Sequence, residues 1–310
     1  MRSLRFGGVL KLFGHASLWT VAYACLLKAP KVRPHNPKPH SPMLDLLSMD
    51  FMQNALIASV LVALACGVMG TYVVVNRLTA LSGGVAHASF GGVGLACFIG
   101  FSPMLGSLGF ALACAMLMGA LTWRDRKHSD TFIGIIWAAG MALGVILTDL
   151  TPGYSGEMMS FLFGSLLTVP TELLWWMGAL LIFILASVSI CYRNFLSISY
   201  DPEFARVRGI PVLNYYMLLI ALIALTVVIA VQAVGMILVI ALLTIPAYIA
   251  ECYAKNLRQM MLVSVVVSLV LVVLGLLVAC QLNFVVGPTI IAGGVILYLL
   301  NFAVKKIVKK

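Results

Sequence analysis

Few residues in this chain are of types that do chemistry, and they fall in a handful of places. His87 stands in the glycine-rich run Gly83-Gly-Val-Ala-His-Ala-Ser-Phe-Gly-Gly-Val-Gly94. A neutral imidazole there is a candidate transient metal ligand or gate, or else a histidine hydrogen-bonded where glycines let two helices cross. Asp149 and Glu157 flank Thr151-Pro-Gly-Tyr-Ser-Gly156; they are candidates for meeting a partner on their side, or are solvated loop charges. Gln232 and Thr244 are polar groups inside apolar runs, and Pro246 should kink or break its helix. Gln232, Thr244 and Pro246 are candidate path residues with His87, with simple helix joining as the alternative for the polar pair. Seven cysteines are scattered without a C-x-x-C or close Cys/His spacing, so neither a disulfide framework nor a structural zinc site is implied.

The elements that must hold these residues are set by composition. Of 310 residues 62% are hydrophobic and 10% charged, with mean hydropathy +1.09; soluble domains carry about 25% charged residues. No Asp, Glu, Lys or Arg occurs in 78–123, 209–250 or 259–304, and each gap is long enough for two spans of roughly 20 residues. From Phe51 the apolar runs separate as 51–75, 84–101, 104–123, 132–150, 173–192, 214–230, 235–250, 260–280 and 284–302. The expectation is an all-α polytopic membrane protein with eight or nine transmembrane helices, eight if the glycine-rich second run is re-entrant.

The net charge of +10 does not point to nucleic acid, because Lys and Arg sit in short clusters between apolar runs. Arg124, Arg126 and Lys127; Arg193, Arg206 and Arg208; Lys255 and Arg258; and Lys305, Lys306, Lys309 and Lys310 are separated by even numbers of spans. One side therefore holds them all, and that side is cytoplasmic. Residues 1–48 differ from the rest: an interrupted apolar stretch precedes a basic, proline-rich run from Lys28 to His40. They are expected to be an extension, disordered or a mis-assigned start, with Met43 or Met49 as the alternative start. Residues 49–310 form the transmembrane domain.

On the basic side the longest loop, Arg193 to Pro211, contains Asp201-Pro-Glu-Phe-Ala-Arg-Val-Arg-Gly209. Asp201 is a preferred N-cap and Pro202 suits the first helical position. Glu203 complements the positive helix end and Arg206 and Arg208 the negative end, while Gly209 suits the left-handed residue after it. A capped helix of about two turns follows. Alone it would be marginal, so it should rest on headgroups or in a partner's groove, with Phe204 and Val207 as its apolar face.

Active transport needs a drive, and no G-x-x-x-x-G-K-[ST] phosphate loop is present. Ionisable residues within spans, which a proton- or ion-coupled secondary transporter needs, reduce to His87 and, at a helix end, Asp149. An engine on another polypeptide is favoured, with the secondary transporter as the alternative. Gly153-Tyr-Ser-Gly156 resembles the nucleophile element of intramembrane serine proteases, but their base lies in a later span and no histidine follows His128. A structural scaffold would leave the capped helix unexplained.

Four stretches taken in order are similar to the permease subunits of zinc, manganese and iron ATP-binding-cassette importers. They are Ala86–Gly94, Ser160-Phe-Leu-Phe-Gly-Ser-Leu-Leu-Thr168, Asp201–Gly209, and Val234-Gly-Met-Ile-Leu-Val-Ile-Ala-Leu-Leu-Thr-Ile-Pro-Ala247. The resemblance implies a multi-pass permease of the bacterial cytoplasmic membrane, not itself an enzyme and without a cofactor of its own. It would import zinc, manganese, iron or a small metal complex by alternating access. ATP would be bound by a partner ATPase subunit, and a second permease copy or paralogue and an extracytoplasmic metal-binding protein would complete the assembly in membrane lipid. Asp201, Pro202, Glu203, Phe204, Arg206, Val207, Arg208 and Gly209 would be the coupling helix, and His87 the metal contact. The sequence departs from the pattern at Gly83, Ser165 and Asn283, where the family has acidic or amide residues. Losing carboxylates where a divalent cation wants oxygen ligands leaves the metal's identity open.

Overall fold

A computed structural model describes residues 50–151, 164, 166–282 and 284–308. The extension before residue 50, Met43, Met49, the Gly153–Gly156 element, Glu157, Ser165, Asn283, Lys309 and Lys310 lie outside the described residues, as does most of the stretch that begins at Ser160.

Every apolar run becomes a helix: α1 Asp50–Val75, α2 Thr79–Ile99, α3 Pro103–Arg124, α4 Ser129–Asp149, α5 Thr171–Tyr200, the short α6 Pro202–Val207, α7 Val212–Val234, α8 Met236–Tyr253, α9 Leu257–Leu282 and α10 Val286–Val308. Among the described residues nine helices are long and apolar enough to cross a membrane, and there is no strand. That is the form a chain must take where lipid offers backbone groups no partner. The glycine-rich second run is a helix of 21 residues, long enough to span.

One boundary moved. The stretch read as a loop from Arg193 is helical to Tyr200, because nothing between Arg193 and Asp201 breaks a helix, and Ser197 spends its hydroxyl on the Arg193 carbonyl at 3.1 Å. Pro202 ends it: the residue before a proline is driven out of the helical region, and Asp201 sits at φ −147°, ψ 91°. Pro246, expected to kink or break α8, is buried within a segment that is helical from Met236 to Tyr253, so the helix is not broken there.

Helices in lipid gain little from burying apolar surface against one another and associate through close packing of small residues. The α2–α4 pair shows this. A methyl group on Gly91 would lie 2.7 Å from the Gly140 carbonyl oxygen, and one on Gly94 2.5 Å from that of Gly144. Gly140-Met-Ala-Leu-Gly144 thus forms a small-xxx-small seam against the segment carrying His87. Gly70 fits in the same way against the Leu243 carbonyl of α8. The most buried helices are α1, α2 and α7; Tyr72 of α1 packs edge-on against Phe195 of α5 at 5.6 Å.

Candidate functional site

At the basic end of the bundle, α6 is capped as its residues require. The Asp201 carboxylate accepts from the Phe204 amide at 2.9 Å. At the other end the Ile210 amide donates to Ala205 O at 3.1 Å and that of Gly209 to Arg206 O at 2.9 Å, with Gly209 at φ +76°. These paired bonds are a Schellman motif, which wants glycine at this position. Glu203 and Arg206 pair at 3.3 Å in an exposed contact that contributes little.

The support for so short a helix comes partly from its own chain. Ala205 is wholly buried against Ile198 of α5 and Val212 of α7, with Trp123, Ile210 and Tyr215 packed around them. Arg206 lies 5.5 Å from the centroid of the Trp123 ring, and Arg126 lies 5.5 Å from the same ring. Each is a cation–π contact, and Trp123 also meets Tyr216 of α7 at 5.1 Å. One indole therefore ties α6 to the end of α3 and to α7. Phe204 and Val207 face away, 54% and 86% exposed, while Arg208 lies over the Phe204 ring at 5.7 Å. Sequence reading found the caps and the outward face but missed Ala205 and Trp123. A lone Ala and a Trp some eighty residues upstream carry no local signal.

Next to this region Asp125 caps the turn between α3 and α4. Its carboxylate lies 2.8 Å from His128 Nδ1 and accepts from the amides of Lys127 and His128. The hydrogen bond to His128 holds this carboxyl below its ordinary value of 3.8.

The candidate path residues His87, Gln232, Thr244 and Pro246 are spread over three helices. His87, half buried on α2, stacks on Trp137 of α4 with centroids 4.5 Å apart and planes 17° from parallel. Its Nδ1 is buried and has no hydrogen-bond partner among the described residues. Trp137 Nε1 donates to the Met141 sulfur at 3.1 Å. Gly83, one turn before His87, looks toward Ile240 of α8: a methyl group there would meet Ile240 Cδ1 at 3.6 Å, an ordinary contact. Thr244, one turn along α8, donates to the Ile240 carbonyl at 2.7 Å. It lines a cavity of about 350 Å³ with Val74, Arg77 and Tyr248. Gln232 of α7 donates to Ser107 Oγ of α3 at 3.1 Å, so it joins helices. Among the described residues none of His87, Gln232 and Thr244 hydrogen-bonds another, and no three His, Cys, Asp or Glu side chains gather as a metal site. Asp149 lies twelve residues beyond Trp137 on α4, about 18 Å along the helix, so its level is far from the His87 stack.

Among the described residues, nine helices long enough to span and a short capped helix at the basic end are the architecture of an all-α polytopic membrane protein. The chain belongs to the ABC 3 transport family, whose profile matches residues 48–305, and so is a multi-pass protein of the bacterial inner membrane. It is 46% identical over 264 residues to an uncharacterised membrane protein of Synechocystis sp., covering 85% of this chain and 94% of that one. It is 32% identical over 252 residues to the manganese import system permease protein ScaB of Streptococcus parasanguinis, covering 81% and 90%. In structure it is similar to a chain of PsaBC from Streptococcus pneumoniae, solved in complex with Fab. The TM-score is 0.76 at 30% identity, covering 84% of this chain and 94% of that one.

Proposed function

We propose that this chain is the permease subunit of a metal importer, driven by a separate ATPase that grips α6. The observation that carries the reading is the division of labour on that helix. Ala205 and Arg206 fasten it to α3, α5 and α7, while Phe204 and Val207 are left as an apolar pair for a partner's groove. A push on α6 would reach the spans through Trp123, the coupling that alternating access needs. ScaB, by its name a manganese import permease, supports a divalent transition metal as cargo, with manganese ahead of zinc or iron. His87 is the residue most suited to touch the metal in passage, having a buried, unpartnered ring nitrogen. A second permease and an extracytoplasmic metal-binding protein complete the proposed assembly. Co-purification tests it: Phe204→Asp or Glu203→Lys should abolish uptake and recovery of the ATPase while the chain stays in the membrane. Undiminished recovery of the ATPase would remove α6 as the coupling helix.

A further inference from the structure

We propose that a cavity at the basic end of the bundle binds a phosphate-bearing anion. Its volume is about 440 Å³, and its lining includes Arg77, Thr122, Trp123, Arg126, Ser129 and Ser199. Among the described residues no carboxylate lines it. Of the acidic groups next to its wall in the chain, Asp125 is engaged with His128, Glu203 with Arg206 and Asp201 with the Phe204 amide, while Asp130, beside Ser129, is exposed. Two arginines thus line one space, Arg126 with its guanidinium over the Trp123 ring and Arg77 shared with a neighbouring cavity that Glu251 lines, and paired arginines favour an anion with several oxygens.

Ser199 adds a neutral donor. Ser199 Oγ accepts from Asn76 Nδ2 at 3.0 Å, which leaves its own proton to give. The backbone points the same way. Helix α1 ends in a Schellman motif, with the Leu78 amide on Val73 O at 2.8 Å and that of Arg77 on Val74 O at 3.1 Å. Arg77 takes the left-handed position at φ 56°, where glycine is the usual residue. A strained arginine in place of a relaxed glycine is a reason to look for what its side chain holds. The phosphate could belong to a lipid headgroup of the inner leaflet or to a soluble phosphate; the chemistry of the site is the same for both.

The test uses the purified full-length chain in neutral detergent and two probes, phosphatidylglycerol and inorganic phosphate, with phosphatidylcholine as the blank. Binding is read by native mass spectrometry and by the shift in Tm. The wild type should bind one of the two probes in preference to the blank, phosphatidylglycerol if the site takes lipid and inorganic phosphate if it takes the soluble anion. Arg77→Gln and Arg126→Gln should each weaken that binding about tenfold, the loss of a charge-assisted hydrogen bond, and Lys127→Gln, a basic neighbour outside the cavity, should leave it unchanged. Arg77→Gly should raise Tm without ligand, by relieving the turn, and still lose binding. Failure of the wild type to bind either probe, or an equal loss in Lys127→Gln, would overturn the proposal.

Discussion

The imidazole of His87 lies against the indole of Trp137, 4.5 Å away and nearly parallel, so α4 covers one face of the ring. Trp137 is in turn steadied by the Met141 sulfur. If His87 touches the cargo, its ring plane is set by Trp137. His87→Ala should change the order of metal preference in uptake without affecting assembly. Trp137→Leu should raise the apparent KM for the metal several-fold, and Trp137→Phe, which can still stack, should raise it less. Competition between manganese and zinc in cells carrying each variant checks this; unchanged preference in His87→Ala would make His87 a packing residue.

The glycines around His87 are not equivalent. A methyl group at Gly91 would strike the Gly140 carbonyl, whereas Gly83 has room. Gly91→Ala should cost about 1–3 kcal/mol, as overpacking does, and lower Tm. Gly83→Asp should lower Tm, since it puts a carboxylate at a buried position, but should place that carboxylate one helical turn from His87 and shift preference toward harder cations. A Gly83→Asp chain with wild-type metal order would show that this face of α2 does not see the cargo.

These contrasts mark how far the sequence could be read. Apolar runs gave eight or nine spans, of which nine are helices among the described residues, and the α6 caps were legible because Asp201, Pro202 and Gly209 each have a strong local preference. The end of α5 was misplaced because polar residues after Arg193 suggested a loop although nothing there stops a helix. The His87–Trp137 stack and the Trp123 node were out of reach. When nearly every position on a helix is apolar, periodicity does not say which face meets which neighbour, and cation–π partners from distant segments leave no spacing to read.

Trp123 should transmit what α6 receives. Trp123→Ala removes two cation–π contacts, worth roughly 0.5–1 kcal/mol each at exposed sites. The expected result is an ATPase that still co-purifies but whose turnover is no longer matched by uptake. Loss of ATPase recovery instead would place Trp123 in the binding surface, and full coupling would make it a local filler.

The Asp125 cap gives a pH dependence of known sign. Because its hydrogen bond to His128 holds the folded carboxyl below 3.8, the contribution of this cap is present above the unfolded value and lost as pH falls through the lower, folded one. Carboxyl NMR of Asp125 should show a midpoint below 3.8 in the wild type and closer to it in His128→Ala. A midpoint above 3.8 in the wild type would contradict the geometry.

The most direct measurement is metal uptake into proteoliposomes holding the purified chain with or without its ATPase subunit. With the ATPase, ATP and the metal-binding protein present, uptake should proceed and should stop in Phe204→Asp. Without the ATPase, no ion gradient should drive it. Sustained uptake by the chain alone on a proton or sodium gradient would contradict the account.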